Sequence, residues 1–298
     1  MTAIDRRTFL ATTAGAALAT AAPALAQGTE DTKLRAQLDR MFETQVDDSP
    51  RFATSLGLDK GARAALKSQL DDNTAAGKAK RQERARKWVA ELKAIDRTKL
   101  SPSSKVDLDV VLYANDQAVR NGDKYKFGDV GGNFSPYVIS QRGGAYANVP
   151  DFLDSQHRVA NAADADAYLA RLSAFAKSMD NDVARQKADV AMGVIPPDFV
   201  CDLALGQMKA LRDQPADKVI LTTSLAKKAE AAKLEGDWAG RARKIVEAEV
   251  YPALDRQIAA MQAVRAKAKP DTGVWALPGG DAYYADACLL YTSDAADE

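Results

Sequence analysis

Residues 131–159 read GGNFSPYVISQRGGAYANVPDFLDSQHRV, and this stretch differs in composition from the rest of the chain. It combines glycines and prolines with aromatic side chains, whereas most of the remaining sequence has the spacing of amphipathic helices. Glycine opens backbone conformations that other residues avoid, proline fixes φ, and aromatic rings bury large areas. Two interpretations follow: a structured crossover that fills the core between helices, or a wall of a substrate groove.

Three polar side chains in this segment are the candidate groove residues, namely Tyr137, Gln141 and Asn148. Their hydroxyl and amide groups suit hydrogen bonds to an extended peptide of the kind made at the edge of a sheet. The larger apolar side chains are predicted to face the core and hold the segment in place: Phe134, Val138 and Phe152.

On both sides of the segment, apolar residues recur at helical spacing. The clearest helix is predicted over 164–193, with a buried stripe that comprises Tyr168, Leu172, Phe175, Met179 and Val183. Other helices are predicted at about 31–47, 75–95, 217–228 and 238–269, and after Ser49-Pro50, Ser101-Pro102 and Pro197. No strand alternation of useful length occurs. The sequence therefore predicts an all-α fold, a multi-helix array with residues 131–159 as a crossover segment.

The spacing also predicts which side chains of these helices face inward and where one helix bends. Pro252 is expected to kink the long helix over 238–269. The helix after Pro50 is predicted to turn three side chains inward, those of Phe52, Ala53 and Leu56. The helix after Pro102 is predicted to carry one apolar side, made by Val106, Val110, Tyr113 and Gln117.

The first 26 residues have the order of an export signal. Arg6 and Arg7 precede an apolar run rich in Ala and Thr, and Ala24 and Ala26 place a cleavage site before Gln27. This order predicts a signal peptide of the twin-arginine type and a periplasmic or secreted protein. The run is too short and too weakly apolar for a span of about 20 residues. No stable membrane anchor is therefore expected after cleavage.

The composition excludes some partners. The 298 residues include 46% hydrophobic and 28% charged residues, enough for a large core in one or two domains. Removal of the leader leaves 39 basic and 40 acidic residues. This balance argues against nucleic acid and anionic membranes as partners. The basic run over 78–87 is interpreted as a solvated helix face, because no set of stacking aromatic residues accompanies it.

Motifs for catalysis are absent from the sequence. A zinc site of the thermolysin type needs two His one helical turn apart and a third ligand, but His157 is the single histidine. His157 is interpreted as structural. The chain also lacks a G-x-S-x-G elbow, a phosphate-binding loop and a dinucleotide fingerprint. Acidic pairs such as Asp71-Asp72 fall at turns and helix starts, where capping explains them.

Four blocks together resemble the bacterial family called domain of unknown function 885. They are FSPYVISQ (134–141), VPDFL (149–153) with His157, GVIPPDF (193–199), and GVWALP (273–278) followed by Tyr283-Tyr284. The likeness covers roughly residues 30–287. Members of this family look like exported, largely helical zinc metallopeptidases. Their metal motif lies well downstream of the Tyr-Tyr block, so the resemblance carries no catalytic or metal-binding role to any residue here.

The resemblance implies that this chain is the N-terminal portion of a larger helical metallopeptidase-like fold. Zinc is expected as a cofactor of the intact parent and a peptide as its substrate, whereas this portion is expected to bind no cofactor and to be inactive alone. After Ala287 the string CLLYTSDAADE resembles a translated transposon end and sequencing adapter. The expected organisation is therefore a signal peptide over 1–26, the family portion over 27–287 and a non-native tail over 288–298.

Two function classes stay open at the level of sequence. In the first, this chain supplies the scaffold and one groove wall of an exported zinc metallopeptidase-like hydrolase. In the second, it belongs to an exported helical binding or structural protein without catalytic activity.

Overall fold

The structure is a computed structural model that describes residues 28–128, 135–270 and 273–291. Within these ranges it contains helices and one isolated bridge between Ser140 and Gly143, but no strand. The predicted all-α class is confirmed. The helices are α1 (Thr29–Asp48), α2 (Pro50–Ser55), α3 (Ala75–Lys93), α4 (Pro102–Lys124), α5 (Ala145–Ser155), α6 (Ala162–Ala191), α7 (Asp198–Arg212), α8 (Ile220–Ala231), α9 (Trp238–Ile245), α10 (Tyr251–Arg265) and α11 (Gly280–Tyr291).

Helices α1, α3 and α4 form an N-terminal layer with its own small core. That core is built from Leu34, Met41, Leu92, Leu100 and Leu108. Local sequence fixes where the helices begin: the Thr74 hydroxyl accepts the N–H of Gly77 before α3, and Ser101 accepts that of Ser104 before α4.

The predictions for the apolar faces of α4 and α2 are wrong. On α4, Val106, Val110 and Tyr113 are exposed, because α4 packs on α3 through the opposite side, where Leu108 is 2% exposed. On α2, only Ala53 of the predicted inward residues is buried, whereas Phe52 and Leu56 are exposed. Helical spacing alone did not decide which of two apolar sides meets the neighbouring helix.

Helices α5 to α10 form the second and larger layer, which is organised around α6. The predicted stripe on α6 is confirmed, since all five of its large apolar side chains are buried in the main core. Helix α6 ends where Gly193 adopts a φ of 85°, a left-handed conformation that suits glycine. Helices α5, α8, α9 and α10 and a 3₁₀ turn over Gly61–Ser68 pack against it.

The segment 131–159 is more helical than its composition indicated, because residues 145–155 form α5. Gly144, at a φ of 107°, lets the chain turn into the helix. The Asp182 carboxylate of α6 then accepts the first N–H group, that of Ala145, at 2.6 Å. Val138 and Phe152 are buried as predicted. Residues 129–134 lie outside the described ranges, so the prediction for Phe134 stays open.

The sequence predicts a kink at Pro252. In the structure the irregular turn lies immediately before this residue. Between α9 and α10, residues Val246–Val250 form a π-helical turn, in which the N–H of Tyr251 donates to the carbonyl of Val246. Pro252 occupies the first turn of α10, where its missing N–H is tolerated. The long predicted helix is therefore two α-helices joined by a wider turn.

Helix α11 was not predicted from the sequence. It is attached by an aromatic cluster in which Tyr125, Phe127 and Tyr283 pack ring against ring. The Tyr125 hydroxyl also donates to the Asp286 carboxylate at 2.5 Å. Helix α11 continues to Tyr291 and so includes the first residues of the predicted tail. The predicted leader over 1–26 and residues 292–298 lie outside the described ranges.

Candidate functional site

The site with the strongest claim to function is a cleft of about 690 Å³ between the two layers. Helices α3 and α4 form one wall, and α5 and α6 form the other. Basic, acidic and amide side chains meet apolar ones in its lining. The cleft is lined among others by Gln45, Asp48, Arg51, Asn73, Arg84, Trp88, Asn115, Val138, Asn148 and Asp182.

Arg51 stands at the start of α2, where its own backbone N–H donates to Asp71 at 3.0 Å. Its guanidinium lies over the Phe152 ring, 5.0 Å from the ring centre. The buried Nε of Arg51 has no hydrogen-bond partner among the residues that the structure describes. A buried donor without a partner is costly. Arg51 as a residue also lines the cleft.

Arg84 approaches the cleft from α3. It donates to Asp48 at 2.5 Å and to Gln45 at 3.0 Å, and it lies 4.8 Å from the centre of the Trp88 ring. Burial opposes ionisation of Asp48, but hydrogen bonds from Lys80 and Arg84 outweigh it and lower the pKa of Asp48. The Nε of Arg84 also lacks a partner within the described ranges.

The floor of the cleft is built by Asp182, whose side chain is buried on α6. One carboxylate oxygen caps α5 through Ala145, and the other accepts the Asn73 amide at 2.8 Å. Asn73 also donates to the backbone carbonyl of Ser178. These bonds tie the loop before α3 to both α5 and α6, and they hold the two walls at a fixed separation.

Asn148 is the one candidate groove residue that lies in this cleft. It is exposed on the first turns of α5 and lines the opening. Gln141 and Tyr137 are half-buried and do not line it. Tyr137 packs against the aromatic cluster beside α11, where burial raises the pKa of its hydroxyl to about 12. The structure therefore separates the three candidates.

His157 belongs to a buried polar centre behind the cleft. Arg171, fully buried on α6, donates to the Nδ1 of His157 at 2.8 Å, and the Nε2 of His157 contacts the carbonyl of Asp164 at 2.9 Å. A guanidinium can only donate, so Nδ1 accepts and Nε2 carries the proton. Burial, the largest effect, lowers the pKa of His157 to about 4. The imidazole is therefore neutral near pH 7.

Arg171 donates from each of its three nitrogens to the elements around it. Its Nε donates to the carbonyl of Gln69, and one Nη donates to Thr54 and to the carbonyls of Pro50 and Leu66. Its guanidinium lies 4.9 Å from the centre of the Phe152 ring, so Arg51 and Arg171 both stack on this ring. The cleft residue Arg51 is thus positioned on a rigid centre.

A zinc site does not fit the side chains described. Over residues 28–128, 135–270 and 273–291, no three His, Cys, Asp or Glu side chains come close enough together to hold a metal ion. Cys201 is buried, and burial raises the pKa of its thiol to about 11, which disfavours the thiolate that binds metals.

Sequence reasoning missed Arg51, Arg84 and Asp182. The first two belong to segments that looked like ordinary solvated helix ends and faces. Their role depends on residues far away in sequence, such as Phe152 for Arg51. One local signal was available: Arg51 directly follows the Ser49-Pro50 helix start, which fixes the direction of its backbone.

A structure described as "the putative lipoprotein from Colwellia psychrerythraea" has a TM-score of 0.76 with this chain at 18% identity. The match covers 87% of this chain, and the chain spans 45% of that protein's length. This likeness shows the fold. The comparison with curated proteins gives no match.

Two further findings concern the length and polarity of the helices and the family to which the chain belongs. No helix in the described part of the chain is long and apolar enough to cross a bilayer. The family described as "bacterial protein of unknown function (DUF885)" matches residues 50–298. That match covers most of the chain and includes α2 to α11, both walls of the cleft, and Arg51. The chain belongs to the DUF885 family of bacterial proteins.

Proposed function

We propose that this chain forms the helical scaffold and one substrate-binding cleft of an exported hydrolase of the metallopeptidase type. In this proposal the zinc ligands and the catalytic groups come from sequence beyond Ala287 in the intact protein, and the described residues bind and orient the substrate. The resemblance of the four sequence blocks supports the activity, and the two-layered cleft supports the binding role.

The observation that carries the binding role is the guanidinium of Arg51. It lines the cleft, it stacks on a buried ring, and its Nε has no partner among the described residues. Arginine binds carboxylates through paired N–H groups, and such charge-assisted bonds are stronger than neutral ones. We infer that Arg51 receives the C-terminal carboxylate of the peptide.

The remaining lining suits a short peptide backbone. Asn148 at the opening and Asn115 on α4 offer amide donors and acceptors from opposite walls. Trp88 offers an apolar surface between them. A volume near 690 Å³ lies in the range of sites that hold small molecules and short peptides. The lining carries four acidic and five basic side chains, so its formal charge does not oppose an anionic ligand.

Peptide binding by the purified mature chain tests this function. The probe is tetraalanine with a free carboxylate, and its C-terminal amide is the matched ligand control; isothermal titration calorimetry measures Kd. Arg51→Gln is expected to weaken binding of the free acid by roughly 10- to 100-fold, the effect of one charge-assisted hydrogen bond. The amide should bind the wild-type chain about as weakly as the acid binds the variant.

The control variant is Arg256→Gln, which removes an arginine that pairs with Asp180 on the exposed surface. Its Kd should equal that of the wild type. Equal affinity for the acid and the amide, or equal effects of the two substitutions, would contradict a carboxylate site at Arg51. An exported binding protein without hydrolysis would use the same cleft. Zinc content and peptide hydrolysis by the intact protein distinguish that alternative.

A further inference from the structure

Helix α7 carries an exposed stripe that the core does not use. Its inner side is buried through Cys201, Ala204 and Met208. On the outer side, Phe199 is 42% and Leu203 is 51% exposed. The stripe continues along the helix and consists of Phe199, Leu203, Gly206 and Ala210.

The spacing of this stripe is that of a helix–helix seam. Successive members are four, three and four positions apart, so they fall within a narrow arc of the helix surface. A Cβ placed on Gly206 would meet no atom of the described residues within 4 Å, so the space beside it is open in this part of the chain. A glycine inside a helix is destabilising relative to alanine, and among the described residues the fold gains no close contact from it.

Side-chain size along the stripe is arranged for an antiparallel copy of itself. The two large residues lie in the first half, and the two small residues lie in the second half. If a second α7 runs in the opposite direction, Phe199 faces the partner's Ala210 and Leu203 faces the partner's Gly206. Each large side chain then enters the space above a small one, and both contacts occur twice by symmetry. A parallel copy would instead set large against large.

The charged residues beside the stripe are also arranged to suit an antiparallel copy. Asp202 lies in the first half and Lys209 in the second, seven positions apart on one flank, and both are exposed. The antiparallel arrangement brings Asp202 beside the partner's Lys209 on that flank, twice per pair. Asp202 also receives a bond from Arg265 of its own chain at 2.7 Å, which lowers its pKa and keeps it ionised. Antiparallel helix dipoles favour the same orientation.

We propose that α7 is a homodimer interface, in which two copies of this chain pack their α7 helices antiparallel about a two-fold axis. The occupant of the stripe is a second copy because its size and charge patterns are each complementary to their own reverse. The interface is separate from the peptide cleft, whose lining comes from α1 to α6, so dimerisation does not depend on the proposed function.

Analytical ultracentrifugation of the mature chain over a range of concentrations tests the proposal. The wild type should show a monomer–dimer equilibrium. Gly206→Leu should weaken the dimer at least about tenfold, because its side chain meets Leu203 of the partner. The double variant Leu203→Ala with Gly206→Leu should restore the dimer, because large and small residues have only exchanged places. Thermal unfolding should show a Tm for Gly206→Leu no lower than the wild type's.

A charge exchange gives a second, independent readout. Lys209→Glu should weaken the dimer, and Asp202→Lys combined with Lys209→Glu should strengthen it again. The control is Val110→Glu, which adds a charge to the exposed side of α4 and should leave association unchanged. A chain that stays monomeric at every concentration overturns the proposal, as does a double variant that remains as weak as its single parent or a control that dissociates the dimer equally.

Discussion

At the scale of single residues, the buried pair of Arg171 and His157 affects both the packing of the fold and the dependence of its stability on pH. Arg171 is a charge without a carboxylate partner in hydrogen-bond contact among the described residues; its donors go to carbonyls, one hydroxyl and one imidazole. The desolvation that this burial requires lowers the pKa of Arg171 to about 10. It remains charged near pH 7, and it requires a neutral His157 beside it.

The first residue-scale prediction concerns pH. The pKa of His157 is about 4 in the folded chain, below its ordinary value of 6.5. Between these values the unfolded chain binds a proton that the folded chain does not. Stability is therefore lost as the pH falls from about 6.5 to about 4. The loss between pH 7 and pH 4.5 should be roughly 2 kcal/mol, measured as the free energy of unfolding in urea.

The variant His157→Gln isolates this contribution, because an amide can still bond to both neighbours but does not titrate here. Its stability should vary less between pH 7 and pH 4.5 than that of the wild type, by roughly the same 2 kcal/mol. Carboxylates with lowered pKa values, such as Asp164, lose their contribution mainly at still lower pH. Parallel pH profiles for the two proteins would show that His157 does not titrate as described.

At the scale of elements, α5 depends on a residue from another helix. Asp182 of α6 accepts the N–H of Ala145 and also binds Asn73. We predict that Asp182→Ala costs about 1–3 kcal/mol, the combined effect of a lost helix cap and an unsatisfied buried donor. The matched control is Asp180→Ala on the same helix, which loses an exposed ion pair with Arg256 and should cost about 0–1 kcal/mol.

Hydrogen exchange adds a local readout to this comparison. In Asp182→Ala, the amides of α5 should exchange faster than those of α10, because only α5 loses its cap. If both helices lose protection equally, or if the two substitutions cost the same, Asp182 does not act as the cap of α5.

The same elements show how far sequence reasoning reached. The α6 stripe was predictable because large apolar residues recur there at a single clear period. The faces of α2 and α4 were not, since Val106 and Val110 form as regular a stripe as the side that meets α3. Helix α5 was missed because Gly144 and Pro150 look like loop punctuation. Its start is fixed by Asp182, 37 positions away, which no local pattern shows.

The residues of the candidate site also fall into two groups, those that the sequence indicates and those that only the folded chain shows. Asn148 was predictable from its polar side chain within a constrained segment, and it lies at the cleft. Arg51 was not, because its importance comes from the ring of Phe152 below it and from the missing partner of its Nε. Both are properties of packing between distant segments, so they exist only in the folded chain.

At the scale of the whole molecule, the described fold spans 45% of the length of the solved structure that it resembles. The activity of the intact protein is therefore a proposal, whereas the two layers and their cleft are features of the chain itself. The proposed export can be tested directly.

We predict that export depends on Arg6 and Arg7. In a bacterial host with a twin-arginine pathway, replacing both by lysine should leave uncleaved precursor in the cytoplasm, because the pathway reads the arginine pair itself. Cell fractionation and immunoblotting measure the distribution. Arg35→Lys in α1 is the control and should not affect export. Mature protein in the periplasm at wild-type levels would rule out the twin-arginine route.

The buried Arg171 also has a consequence for the order in which the chain folds. Its bonds to Gln69 and Pro50 close loops of 102 and 121 residues. Contacts of this separation are entropically slow to form, and they require α6 to be complete. During synthesis at about 5–20 residues per second, α2 therefore leaves the ribosome several seconds before Arg171 is made. Over that interval α2 lacks the hydrogen bonds from Arg171 to Pro50 and Thr54 that hold it in the native fold.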